Sequence, residues 1–196
     1  DNDARQYLEQ QGMTVTDLKK SGSSFDYTAK KGNEICTGTV TVSKGFGSTD
    51  QSYMGTCQRD TSACKPGAAA ECVKLADELY AREKKVFPTK AGELYRTACA
   101  DGNAHACARA GEFETIGKTW DRVREFSEKG CTLDDGDACA RLGFAELEGN
   151  GGPKNEARAL TLMKKACSLS ALRGCRAAAG ILLDATPADP TAAIPL

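Results

Sequence analysis

The sequence lacks any apolar run long enough to cross a membrane, since no stretch approaches the roughly 20 residues that a spanning helix needs. Its formal net charge is only −1, so charge gives no indication of binding to nucleic acid or to an anionic membrane. Aromatic residues make up only 6% of the chain, and a core must therefore be built mostly from Ala and Leu. These absences favour a protein made of packed helices, without a transmembrane segment.

Histidine and closely spaced cysteines are also scarce. His105 is the only histidine, and no two cysteines are separated by just two residues. A metal site, a redox motif and a cofactor are therefore not expected. The ten cysteines instead favour a disulfide framework, which belongs in the periplasm, on the cell surface or in the medium.

The start of the sequence agrees with an extracytoplasmic location. It begins at Asp1, without Met and without an apolar leader. We therefore expect a mature form whose signal peptide has been removed. A lipid anchor on a processed N-terminal cysteine is compatible with this expectation.

Four cysteine pairs share one spacing, with seven residues between their members. A single unbroken helix would hold such a pair about 12 Å apart, whereas a disulfide needs Cα atoms within about 7 Å. If each pair is bonded, the chain must turn back between its cysteines, and turn formers such as Gly102-Asn103 and Asp135-Gly136 lie there. Each pair then staples a helix end to the next helix start. The predicted bonds are Cys64–Cys72, Cys99–Cys107, Cys131–Cys139 and Cys167–Cys175.

Residues 1–60 predict a small α+β module with a helix on an antiparallel sheet. A short helix is expected over 3–11, after which the apolar period changes to two. Gly32-Asn33 is a hairpin signal. Cys36 and Cys57 lie outside the repeated pairs and should join two strands. Strands are expected over 13–20, 25–30, 36–42 and 50–58.

From residue 61 to 184 the chain is helical and repetitive. Equivalent cysteines are 35, 32 and 36 residues apart, which is the period of a helical-pair repeat. Small residues four positions after each second cysteine should let two helices approach closely: Ala76, Gly111, Gly143 and Ala179. The fold class is therefore mainly α, an α/α solenoid stapled by disulfides and preceded by the small module. Residues 185–196 should form an extended or disordered tail.

A longer motif runs from Asp135 to Cys167 and contains Leu142-Gly143, a glycine cluster over 149–152, and Lys165-Ala166-Cys167. It resembles the Sel-like repeat, a relative of the tetratricopeptide repeat. With its paired cysteines, the chain over roughly 62–184 resembles the secreted, cysteine-rich bacterial branch of that family, the Hcp type. The resemblance implies a right-handed α/α superhelix with a disulfide per repeat, and protein–protein interaction in secretion, signalling or envelope biology.

The resemblance also raises an enzymatic alternative, because some cysteine-rich members have been linked to penicillin binding and weak β-lactamase activity. Such serine enzymes carry Ser-x-x-Lys, Ser-Asp-Asn and Lys-Thr-Gly. Only the first occurs here, at Ser62–Lys65, where it overlaps the stapled Cys64. His105 lies inside a cysteine turn and is expected to face solvent or to cap a helix. We therefore predict no catalytic residues, and a nitrocefin assay with a Ser62→Ala control would distinguish the alternatives.

A candidate binding surface comes from Lys74, Arg109 and Arg141, which stand two residues after the second cysteine in three repeats. In a stacked solenoid, equivalent positions form a stripe, and the first helix of each pair usually lines the concave face. This basic ladder could hold an acidic segment, although a solvated charged face is the simpler alternative. Trp120, the only tryptophan, is expected to fill the core.

The sequence as a whole predicts a secreted or periplasmic adaptor or scaffold. Its partner would be another protein or an envelope component, bound through the surface of the helical repeats. A purely structural envelope protein without a specific ligand is the second alternative, and capture of a defined partner from envelope extract would separate the two.

Overall fold

The computed structural model describes residues 2–44, 49–82 and 89–185. The chain divides into two compact units, Asp1–Ser62 and Ala63–Leu196. The division falls two residues after the end predicted for the first module. The described residues contain eight helices and one four-stranded sheet. A mainly α fold with a small α+β module is therefore confirmed.

The first unit is a helix followed by an antiparallel meander in the order β1-β2-β3-β4. Two-residue turns connect the first three strands, and Gly22 and Gly32 adopt positive φ angles of 61° and 60° there. Glycine reaches this region without a Cβ clash, which makes the tight turns accessible. The elements are α1 (Asn2–Gln10), β1 (Thr14–Ser21), β2 (Ser24–Lys31), β3 (Glu34–Lys44) and β4 (Thr49–Arg59).

The core of this unit lies between α1 and one face of the sheet. Ala4 and Leu8, one helical turn apart, point to the same side of α1 and are fully buried. Alternate strand residues meet them from the sheet, as the period of two predicts. Cys36 and Cys57 are direct cross-strand partners on β3 and β4 and form a disulfide. The buried sheet residues include Val15, Tyr27, Ala29 and Val40.

The second unit is a chain of helices in which each described helix packs against the next. In addition, α4 packs against α6 and α6 against α8, so these alternate helices form one layer. This is the α/α repeat arrangement that the period predicts. The helices are α2 (Ala69–Arg82), α3 (Thr89–Ala100), α4 (Ala104–Ile116), α5 (Trp120–Thr132), α6 (Gly136–Glu148), α7 (Glu156–Ser168) and α8 (Leu172–Ala185).

Of the tail predicted over 185–196, only Ala185 belongs to the described residues, and it is the last residue of α8. Residues 186–196 lie outside them, so an extended or disordered tail stays a prediction. Within the described helices, none is long and apolar enough to span a membrane.

The first repeated cysteine pair bridges the turn that precedes α2, and the other three bridge turns between helices. In each of these four disulfides the two Cα atoms are 4.5 or 4.6 Å apart, well inside the range that a disulfide requires. The turns reverse through residues with positive φ, at Gly102, Asp134 and Ser170. The side chains of Asn103 and Asp135 then cap α4 and α6 by accepting backbone N–H bonds. The bonded pairs are those that the sequence predicts, including Cys64–Cys72, Cys99–Cys107, Cys131–Cys139 and Cys167–Cys175.

Two glycines of α8 provide a test of how closely the helices pack. A Cβ at Gly174 would lie 2.4 Å from Cβ of Ala166 on α7, whereas a Cβ at Gly180 would meet nothing within 4 Å among the described residues. We expect Gly174→Ala to lower the free energy of unfolding by about 1–3 kcal/mol through overpacking. Gly180→Ala should raise it by up to about 1 kcal/mol through helix propensity.

The comparison can be made by chemical denaturation of the two variants and the parent. The variants carry the same substitution in the same helix, so helix propensity favours both. If Gly174→Ala is as stable as Gly180→Ala, the close contact between α7 and α8 is absent.

Candidate partner-binding face of the helical unit

The three residues of the predicted basic ladder differ in their surroundings. Lys74 on α2 is exposed. The side chains of Arg109 and Arg141, on α4 and α6, are only 20% and 12% exposed. The ladder is therefore not a row of three freely solvated cations, and its predicted role in partner binding stays a prediction.

Arg109 is held by groups on three helices. Its Nη1 donates to Oε2 of Glu112 at 2.6 Å. Its guanidinium lies over the ring of Tyr80, 4.3 Å from the centroid, and 5.4 Å from the ring centroid of Tyr95. Burial by itself would lower the pKa of Arg109, but the tyrosine hydroxyls and the Glu112 carboxylate outweigh it and raise that pKa. Arg109 therefore stays charged and contributes to the packing of α2, α3 and α4.

Arg141 joins two neighbouring repeats. Its Nη1 donates to the backbone oxygen of Ala108 on α4 at 2.9 Å, and its Nη2 lies 3.8 Å from Oε2 of Glu112. Burial is the main reason why the pKa of Arg141 is lowered; Glu112 opposes that shift and Arg173 adds to it. Arg109 and Arg141 thus share one carboxylate, which connects them within the structure.

A pocket of about 330 Å³ lies between α4, α5, α6 and α8, and Arg141 contributes to its lining. Its apolar wall combines two aromatic and two aliphatic side chains from α5 and α6: Trp120, Val123, Phe144 and Ala145. Its polar groups are Thr115, Glu148, Asn150 and two arginines, Arg141 and Arg173. The helices α4, α6 and α8 are the first helices of their repeats and α5 is a second helix, so the pocket lies where the face that we expected to bind partners meets α5.

Trp120 does not fill the core as predicted; it is half-buried and lines this pocket. The physical reason is its position at the first residue of α5, beneath the glycine-rich loop between α6 and α7. A Cβ at Gly151 would lie 2.7 Å from the carbonyl carbon of Trp120. The glycines therefore let the loop approach the backbone of α5, while the indole is left at the pocket.

The same loop is anchored by Arg124 of α5. Its Nε donates to the backbone oxygen of Asn150 at 2.7 Å, and its Nη1 forms an ion pair with Glu146 at 2.8 Å. Arg158 of α7 donates to the same Glu146 oxygen, also at 2.8 Å. Glu146, only 2% exposed, thereby connects α5, α6 and α7 and holds Asn150 at the pocket.

Glu114 occupies the equivalent position one repeat earlier and is 6% exposed. Arg96 of α3 donates to it at 2.9 Å, and Arg122 of α5 lies 3.5 Å away. The hydroxyl of Thr119 donates to its other carboxylate oxygen at 2.5 Å. Each buried carboxylate is therefore paired with two arginines, as burial of a charge requires.

These two clusters were not predicted from the sequence. Their signal was present, because Glu114 and Glu146 both stand seven residues after a second cysteine, and Arg122 and Arg158 both stand nine before a first. Such a repeated acid–base pair at matched offsets could have been found by aligning the repeats on their cysteines.

The residues considered for catalysis lie elsewhere. Ser62 is exposed, and its backbone N–H donates to Oδ1 of Asp60 at 3.0 Å. Hydrogen bonds from Ser62 and Lys30 lower the pKa of Asp60 to about 2. His105 is exposed in the first turn of α4. Neither Ser62 nor His105 lines the pocket, and the described residues contain no cluster of metal-ligating side chains.

Comparison with known proteins gives similarity at the level of structure. Sequence comparison finds no matching family model and no curated relative. One similar structure is c5321, a protective antigen of uropathogenic Escherichia coli with an SLR fold; identity is 22%, the TM-score is 0.57, and the match covers 65% of this chain and 29% of that one. Another is a Sel1 repeat protein from Oxalobacter formigenes, at 21% identity and a TM-score of 0.55, covering 64% and 54%.

Helicobacter pylori cysteine-rich protein B also matches, at 26% identity and a TM-score of 0.46, covering 60% of this chain and 87% of that one. The first two matches define the class of fold, a repeat of paired helices. The chain has the Sel1-like repeat fold, as predicted from residues 62–184. It spans only 29% and 54% of the lengths of those two proteins.

The buried carboxylate of Glu146 gives a testable prediction. Glu146→Gln keeps the shape but removes the charge that pairs with Arg124 and Arg158, so we expect the free energy of unfolding to fall by about 3 kcal/mol. Glu125→Gln, at an exposed position of α5, is the matched control and should change it by no more than about 0.5 kcal/mol. Urea denaturation at neutral pH measures both, and equal stabilities would show that Glu146 does not hold the helices together.

Proposed function

We propose that the helical unit is a protein-interaction scaffold and that its partner binds on the face formed by α4, α6 and α8. The observation that carries this proposal is the pocket on that face, where an apolar wall lies beside two arginines. Interfaces are typically anchored by aromatic residues and arginine in just such desolvated sites. The Sel1-like repeat fold supports the proposal, because this repeat is associated with protein–protein interaction.

The proposed setting is the periplasm, the cell surface or the medium. All ten cysteines are paired in five disulfides, and no free cysteine is present. Such a set of bonds persists in oxidising compartments and is rare in the cytosol. The disulfides therefore support secretion, and an adaptor for another protein or an envelope component fits that setting best.

The enzymatic alternative has less support. Ser62 and Lys65 are exposed beside Cys64, which is bonded to Cys72. A serine nucleophile needs a base within hydrogen-bonding reach, and the carboxylate that Ser62 contacts, Asp60, has its pKa lowered to about 2 by hydrogen bonds from Ser62 and Lys30, which leaves it a weak base. A scaffold without catalysis is therefore the function that we propose.

Site-specific photo-cross-linking tests the proposed face. A photoreactive residue at position 176 lies on α8, one turn from the pocket residue Arg173, and a matched residue at position 164 lies on the neighbouring helix α7. Arg176 and Lys164 are both exposed, so both substitutions should be tolerated. In envelope extract of the host, we expect a discrete partner to be captured from position 176 and not from position 164.

Capture from position 164 alone would place the binding surface on the second helices of the repeats. Equal capture from both positions would indicate non-specific contact. Either result would contradict the proposed face.

A further inference from the structure

We propose that the pocket between α4, α5, α6 and α8 receives the C-terminal residue of a peptide. The bulky apolar side chain of that residue would pack against Trp120 and Phe144, and its terminal carboxylate would lie between Arg141 and Arg173. This inference rests on the proposed function, since it names the partner chemistry that the same face would recognise.

The size and wall of the pocket favour a single apolar side chain. Its volume of about 330 Å³ is near the lower end of the range of about 300–1,000 Å³ for ligand sites. Trp120 and Val123 approach from α5, and Phe144 and Ala145 from α6. An aromatic or branched aliphatic side chain would be removed from water on both sides, and burial of its apolar surface would favour binding.

The two arginines favour an anion beside that side chain. Arg141 uses Nη1 for the backbone of α4, while its Nη2 is 3.8 Å from Glu112, beyond hydrogen-bonding distance. Arg173 is exposed, with its guanidinium 5.9 Å from the ring centroid of Phe144. A guanidinium carries five N–H donors, so both arginines retain donors for a carboxylate. Two such groups can hold its two oxygens with charge-assisted hydrogen bonds.

Repulsion between the arginines strengthens the case for an anion. Burial is the main cause that lowers the pKa of Arg141, and the positive charge of Arg173 lowers it further. A carboxylate placed between them would offset both effects. Glu148 also lines the pocket, but it accepts a hydrogen bond from Nδ2 of Asn150. Two cations and one anion leave the lining with a net charge of +1.

A chain terminus fits this arrangement better than other carboxylates. At a C-terminal residue the carboxylate and the side chain branch from one Cα, so a single residue can reach the apolar wall and both arginines. An internal Asp or Glu has peptide chain on both sides, so the pocket would have to accommodate both flanking segments. A free amino acid would bring an ammonium group to the arginines, which would repel it.

Ligand binding in the pocket can be followed by tryptophan fluorescence, because Trp120 lines the pocket and is the only tryptophan of the chain. The test is a fluorescence titration of the full chain with N-acetylated hexapeptides that contain no tryptophan and end in Leu, Ile or Phe. Each is compared with its C-terminal amide and with a peptide that has an internal Glu and an amidated end. We expect saturable binding of at least one free acid, weakening with added salt, and at least tenfold weaker binding of its amide.

Variants separate the pocket from a general effect of positive charge. Arg173→Gln should weaken binding of the free acid about tenfold, because one of its two cationic partners is lost. Lys164→Gln removes an exposed cation from the neighbouring helix α7 that does not line the pocket, and it should bind the free acid like the parent. Circular dichroism of both variants checks that the helices are retained.

Several results would overturn the inference. No binding of any of the three acids, or equal binding of acid and amide, would show that the pocket does not recognise a terminal carboxylate. Equal binding of the internal-Glu peptide would exclude a chain terminus as the specific ligand, and equal loss in both variants would indicate non-specific attraction. In each case, cross-linking of a partner from position 176 would still support the proposed function, so the two failures can be told apart.

Discussion

The disulfide across the turn that precedes each first helix of a repeat is the constraint on which the repeat array depends. Three of these bonds connect the end of one helix to the first turn of the next, and Cys64–Cys72 connects the segment before α2 to the first turn of that helix. In all four the Cα atoms are 4.5 or 4.6 Å apart. By the chain-entropy argument, closing so short a loop stabilises the fold by about 2.5 kcal/mol. The helices also meet through small side chains, such as Gly130 against Ala138 and Cys107. Small side chains bury little apolar surface each, so the crosslinks carry much of what keeps successive helices in register.

The buried carboxylates bring a second set of connections to the middle of the array. Glu114 joins α3, α4 and α5 through its arginines, and Glu146 joins α5, α6 and α7. The second cluster extends to the loop that carries Asn150, because Arg124 binds both Glu146 and the loop backbone. Stability and the shape of the pocket are therefore linked, because the ion pairs that hold three helices together also position one edge of the pocket.

Features that repeat at a fixed spacing could be predicted, whereas those that depend on the neighbouring repeat could not. A disulfide between cysteines eight residues apart requires the chain to turn back, and this local constraint allowed the helix ends to be predicted. The burial of Arg141 depends on a backbone oxygen of α4, 33 residues away, which no local pattern encodes. Glu146 was overlooked, although it repeats at the same offset as Glu114, because an acidic residue is almost never fully buried unless it is paired, and its partners lie on two other helices.

The turn disulfides are expected to hold in place the helices that build the proposed binding face. Replacing Cys131 and Cys139 by serine removes the bond between α5 and α6, which carry most of the pocket wall. The same exchange at Cys36 and Cys57, in the first unit, is the control. The account predicts that the first double variant loses about 2.5 kcal/mol of unfolding free energy and shifts the emission of Trp120 to longer wavelength, while the control leaves that emission unchanged. Unaltered stability and emission in the first variant would contradict it.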